Sequence, residues 1–94
     1  MRLQNQIVLI TGSTTGIGAA MARLFAKEGA KIILHGRNIE RANALQEELG
    51  PENAAFVKGD LQDPKGPAQI AREALNCFGR IDCLVNNAAF TTRG

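Results

Sequence analysis

The sequence has no tyrosine and no tryptophan, one histidine, two cysteines and three prolines among its 94 residues. Without tyrosine there is no phenol to hand over or receive a proton. Cys77 and Cys83 do not have a metal-ligand spacing, and are read as small buried hydrophobes of a reduced, cytosolic protein. The lone His35 stands at the end of an apolar run, where a structural or ligand-adjacent role is expected rather than a metal ligand or catalytic base. No apolar stretch has the length of a membrane-spanning helix. Arg2 is followed by polar residues and only a short apolar run, so no secretory leader is expected. The formal charge is only +2 and the basic residues are scattered, which argues against a nucleic-acid or membrane-surface partner. The length allows one domain at most.

What the sequence does have is glycine in one meaningful arrangement, Thr11-Gly12-Ser13-Thr14-Thr15-Gly16-Ile17-Gly18. Gln6 to Ile10 before it reads as a buried parallel strand, and Ile17 to Glu28 after it as an amphipathic helix. A turn of this kind aims backbone N–H groups and the positive end of a helix dipole at one spot, which suits a phosphate. Gly12 provides the tight exit from the strand, Gly16 a backbone approach to a pyrophosphate with no Cβ in the way, and Gly18 close packing of the first helical turn. The spacing is G-x-x-x-G-x-G and not the commoner G-x-G-x-x-G. The alternative is an ordinary strand-to-helix turn.

Strand and helix patterns then alternate without repeats. Lys31 to His35 reads as a second strand. Asn38 caps a helix with inner face Ile39, Ala42, Leu45 and Leu49, which ends at Gly50-Pro51. Ala54 to Gly59 reads as a third strand. Asp63-Pro64 has the form of an N-cap and N1 proline, but Pro67 points to an irregular first turn and regular helix from about Ala68. Ile70, Ala71, Ala74, Leu75 and Phe78 form its apolar face, and Gly79 closes it. Ile81 to Val85 is a fourth strand, followed by Asn86-Asn87-Ala88-Ala89. Near-continuously apolar strands between helices imply an α/β fold, with a parallel sheet covered on both faces. Right-handed crossovers give a partial Rossmann arrangement with strand order 3-2-1-4 and a ligand crevice at the strands' carboxyl ends.

The glycine loop, Asp60-Leu61 and Asn86-Asn87-Ala88-Ala89, at these separations, resemble the short-chain dehydrogenase/reductase family over essentially Leu3 to Ala89. The resemblance implies an NAD- or NADP-dependent oxidoreductase of alcohols and ketones. It assigns cofactor contacts to Gly12, Ser13, Thr14, Thr15, Gly16, Ile17 and Gly18 in the loop. It has Asp60 accept from the adenine amino group with the Leu61 amide nearby, Asn87 contact the adenosine ribose region, and Ala88 and Ala89 approach through backbone. Ala89 stands where the family usually has glycine. The bland alternatives are a polar strand-end cap for Asp60 and a strand-tying role for Asn86.

The second strand ends in His35-Gly36-Arg37-Asn38, with no carboxylate to bind a ribose 2′-hydroxyl. Arg37 offers planar donors to a 2′-phosphate, with Asn38 assisting, so NADP is preferred to NAD. The alternative for Arg37 is a solvated loop arginine. Thr15 stands where many NADP-binding relatives have a second basic residue. The family's catalytic serine and Tyr-x-x-x-Lys pair lie beyond the fourth strand, and no position here inherits them; the one serine is Ser13. The expectation is therefore a truncated cofactor-binding domain over 1–94, inactive alone, with an open sheet edge that favours self-association. In a full-length form its partner would be a small alcohol or carbonyl compound. The competing reading is a non-enzymatic nucleotide-binding or interaction module.

Overall fold

Isoleucine, valine and leucine dominate four short strands that alternate with three helices. The computed structural model describes residues 4–14, 16–59 and 62–87. The elements are β1 (Ile7–Ile10), α1 (Gly16–Lys27), β2 (Lys31–Gly36), α2 (Ile39–Leu49), β3 (Ala54–Lys58), α3 (Gly66–Phe78) and β4 (Cys83–Val85). They form one sheet in the order β3-β2-β1-β4, as the sequence implies. All pairs are parallel, with Ile10 opposite Leu34 on one side and Val85 on the other, and His35 opposite Val57.

The pleat divides the apolar runs between two faces. Val8, Ile10, Ile32 and Leu34 pack with Ala19 and Ala22 of α1 and Leu45 of α2. Ile7, Leu9, Ile33 and Val57 pack with Ile70 and Ala74 of α3. Both faces of β1 and β2 are thus covered, which is why their sequences show no polar alternation.

Local chemistry sets the helix ends. Asn38 Oδ1 accepts from the Arg41 amide at 3.0 Å, the cap expected for α2. Gly50 N–H closes that helix on the Gln46 carbonyl at 2.9 Å. The start of α3 corrects the expectation of regular helix from Ala68. Helix begins at Gly66, with Pro67 in the first turn, where an amide has no intrahelical partner to lose. Asp63 is not its N-cap; that position is Lys65, whose amide donates to Asp63 Oδ1 at 2.9 Å.

Other differences follow from coverage. Ile39, Ala71 and Leu75, expected on inner faces, are exposed. Cys83 is exposed and Cys77 half-buried, whereas both were expected to be buried. Both thiols are free. Among the described residues β4 is an edge strand, and Leu84 beside Cys83 is 60% exposed. The fourth strand begins at Cys83 rather than Ile81 because Asp82 ends the ladder: its Oδ2 takes the Ile7 N–H at 2.8 Å that a strand carbonyl would otherwise accept.

Candidate functional site

The sheet's carboxyl ends bring together the glycine loop, the β2–α2 turn and the residues after β4. Gly12 (φ +63°) and Gly16 (φ +58°) occupy left-handed backbone that L side chains rarely adopt. Among the described residues beyond its chain neighbours, a Cβ on Gly16 would meet nothing within 4 Å, so the space beside the start of α1 is open. Gly16 and Ile17 are exposed, Ile17 at 72%. No acidic side chain lies in the first turn of α1, so its dipole is uncompensated from within the helix. This cradle fits a phosphate or pyrophosphate.

Beneath it the loop is stitched to the sheet by neutral groups. Ser13 is fully buried at 0%; its N–H donates to the His35 carbonyl at 2.8 Å and its Oγ accepts from the His35 N–H at 2.8 Å. Thr11 N–H donates to the Val85 carbonyl at 3.0 Å, and its hydroxyl donates to Asn86 Oδ1 at 3.2 Å. Asn87 is buried and its Nδ2 donates to the Gly12 carbonyl at 3.1 Å. A Cβ at Gly18 would strike the Gly12 carbonyl oxygen and stand 2.8 Å from Asn87 Nδ2. Gly18 therefore lets the first helical turn close onto the loop and Asn87.

His35 is the group whose role the sequence left open. It is 4% exposed. The Gly12 N–H donates to its Nδ1 at 3.0 Å, so Nε2 carries the proton and donates to the Gly59 carbonyl at 3.0 Å. Burial holds its pKa below the ordinary imidazole value, against a smaller raising effect of the Gly59 carbonyl. Gly36 was missed as well: a Cβ there would stand 2.8 Å from Thr14 Oγ1, so the β2 end is small to admit the loop's Thr14. The only signal for either was a histidine-glycine pair at a strand end facing a glycine loop.

Of the residues expected to touch a cofactor, Gly12, Ser13, Thr14, Gly16, Ile17, Gly18, Arg37, Asn38 and Asn87 lie at this end. Ser13 and the Asn87 amide face inward, holding the loop. Arg37 and Asn38, with Ile39 and Glu40, line an open depression beside the end of β2. Thr15, Asp60, Leu61, Ala88 and Ala89 lie outside the described residues. No group of three or more metal-ligating side chains occurs among the described residues. No described helix is long and apolar enough to cross a membrane.

Comparison with known proteins agrees with this geometry. The short chain dehydrogenase family model matches residues 6–94. Dehydrogenase/reductase SDR family member 7B of Bos taurus is 41% identical over 100 residues, covering 98% of this chain and 31% of the bovine protein. Sorbitol dehydrogenase of Cereibacter sphaeroides is 42% identical over 89 residues, covering 95% of this chain and 34% of that protein. The solved structure of 3-ketoacyl-(acyl-carrier-protein) reductase from Brucella melitensis, complexed with NADH, superposes with a TM-score of 0.80 at 33% identity, covering 86% of this chain and 33% of the reductase. The chain spans about a third of the length of the proteins it matches. Strand order, glycine loop and sequence similarity converge, and the chain belongs to the short chain dehydrogenase family.

Proposed function

We propose that this chain is the dinucleotide-binding part of an NAD(P)-dependent oxidoreductase that interconverts alcohols and ketones, with NADP preferred. The observation that carries the reading is the open space at Gly16 before an α1 N-terminus free of acidic side chains in its first turn. There the pyrophosphate meets unpaired amides and the helix dipole. Gly12 and Gly16 give the approach, and Ser13, Gly18 and Asn87 keep the loop in shape. Thr14, Thr15 and Ile17 flank the phosphates. Asp60 and Leu61 would hold the adenine, and Asn87, Ala88 and Ala89 would border the ribose. Hydride transfer is the chemistry such a cofactor supplies when bound.

Arg37 carries the preference for NADP. It is exposed at the end of β2, where a 2′-phosphate can be met by a planar set of charged donors. Asn38 Oδ1 is engaged in capping α2, which leaves its amide nitrogen as the group that could assist. Glu40 lines the same depression and sets a limit on the preference by repelling the added charge. Arg37→Ala is expected to weaken NADPH about ten- to a hundred-fold with little change for NADH, read by fluorescence titration of both. Equal losses for the two would show that Arg37 serves the fold.

A second reading, a nucleotide-binding module without turnover, is favoured by one fact. These 94 residues hold no tyrosine, and their one serine is buried under the loop, so a developing alkoxide would find neither family group here. Absence of NADPH oxidation by the 94-residue chain, and its appearance when sequence carrying a serine and Tyr-x-x-x-Lys is joined after Gly94, separates the readings. Cys77 and Cys83, both free, fit a reducing cytosolic compartment under either reading.

A further inference from the structure

We infer that His35 is a positioning residue for the cofactor: its neutral imidazole ties the phosphate loop to the end of β3, so that the pyrophosphate cradle and the adenine side of the site are held by one side chain. The inference rests on the dinucleotide reading above.

The geometry is specific. Gly12 N–H, in the turn where the loop leaves β1, donates to Nδ1 at 3.0 Å; the Gly59 carbonyl, just beyond β3, accepts from Nε2–H at 3.0 Å. The backbone of the same residue is joined to Ser13 through three hydrogen bonds at 2.8, 2.8 and 3.4 Å. His35 thus holds Gly12, Ser13 and Gly59 in one place. It does so while buried, with little solvent to replace a lost partner. Gly59 directly precedes Asp60-Leu61, so the tie runs from the glycine loop to the segment assigned to the adenine.

Only the neutral ring with the proton on Nε2 can make both bonds. Protonation puts a second N–H on Nδ1, opposite the Gly12 N–H, and turns an attraction into a clash of two donors. The Gly12 turn must then shift, and the cradle it opens shifts with it. Charged groups on the elements packed against β2 do not offset this. β1 has no titratable side chain. Lys58 of β3 is exposed, as are Arg23 and Lys27 of α1 and Glu40, Arg41, Glu47 and Glu48 of α2. Arg72 and Glu73 of α3, on the opposite cluster, are exposed too.

The test is calorimetric titration of the 94-residue chain with ADP-ribose, whose pyrophosphate does not titrate in the imidazole range and which lacks the 2′-phosphate. It is run from about pH 8 to about pH 5, on wild type, His35→Asn and His35→Leu. Asn places an amide oxygen near the Nδ1 position, restoring an acceptor for Gly12 that cannot be protonated in this range. Wild type should bind about tenfold more weakly once a single group below the ordinary imidazole value is protonated. His35→Asn keeps the Gly12 bond but not the Gly59 bond, so it should bind more weakly than wild type and more tightly than His35→Leu at neutral pH, without pH dependence; His35→Leu should be weak at every pH. The 15N shifts of the imidazole should show the Nε2–H tautomer at neutral pH. Neutral-pH binding by His35→Leu as tight as that of wild type, a wild-type pH profile retained in His35→Asn, or the Nδ1–H tautomer would overturn the inference while leaving cofactor binding intact. Failure of wild type to bind ADP-ribose at any pH, with the tautomer as stated, would overturn the dinucleotide reading and the positioning role with it.

Discussion

The two ends of the sheet are both fastened by side chains bonded to backbone, but with opposite chemistry. At the carboxyl ends the fasteners are neutral and buried: Ser13, His35 and Asn87 hold the glycine loop from below. At the amino ends the fasteners are charged and at the surface. Asp82 Oδ2 accepts from the Ile7 N–H at 2.8 Å, Arg80 pairs with Asp82 at 3.0 Å, and Arg80 also donates to the Asn5 carbonyl at 2.9 Å. Asn5 makes that turn with φ +67° and donates its own N–H to the Gly29 carbonyl at 3.2 Å. A carboxylate fastening the glycine loop from below would oppose the positive potential that the α1 N-terminus provides. Neutral fasteners fix the loop and leave that potential for a ligand. At the opposite end an ion pair, Arg80 with Asp82, lies beside the bond that closes the ladder on Ile7.

Gly18→Val should break the comparison most sharply. Its Cβ would strike the Gly12 carbonyl oxygen, a backbone atom that cannot step aside without moving the loop. Overpacking of this kind costs about 1–3 kcal/mol or more. Urea unfolding should show that loss together with loss of ADP-ribose binding, because stability and site share these atoms.

Acid should separate the ends by pH window. Both groups have folded pKa values below their ordinary ones, so each contributes stability that is complete above the ordinary value and fades as pH falls through the folded one. For His35 the fading begins below 6.5 and comes from burial. For Asp82 it begins only below 3.8, and comes first from the Ile7 N–H and then from Arg80. Amide NMR should therefore show Gly12 and Gly59 moving in the first window and Ile7 in the second. Simultaneous movement would mean the ends are not independent.

The smallest effect is expected from Arg80→Ala. Exposed ion pairs contribute little, and the bond from Asp82 to Ile7 survives the substitution. Thermal unfolding should shift slightly and ADP-ribose affinity should not change. A loss of affinity would show that the two ends are coupled through the sheet.

Much of this was legible in the residues. Continuous apolar runs at Ile7–Ile10 and Ile32–Leu34 predicted central parallel strands, because strands covered on both faces have no polar side. Asn38 predicted its cap and Gly12 its tight turn; the left-handed backbone at Gly12 and Gly16 is what the structure adds. Coverage was not legible: Leu84 and Cys83 have the composition of β2 but stand at an edge, and sequence periodicity does not encode what packs beside a strand. Nor was the His35 tie, since it depends on the β2–β3 register that carries Gly59 to a residue 24 positions away. Pro67 misled because its missing amide matters only past the first turn, and the sequence did not show which turn it occupies.

The central claim is that Gly16 opens the space in which a pyrophosphate sits. Gly16→Asn tests it directly, because asparagine tolerates the left-handed backbone at φ +58° and, among the described residues beyond the chain neighbours, nothing lies within 4 Å of the new Cβ. Calorimetric titration with ADP-ribose, beside far-ultraviolet circular dichroism, should show a folded variant that has lost binding while wild type binds. A folded Gly16→Asn chain that binds ADP-ribose as tightly as wild type would contradict the account.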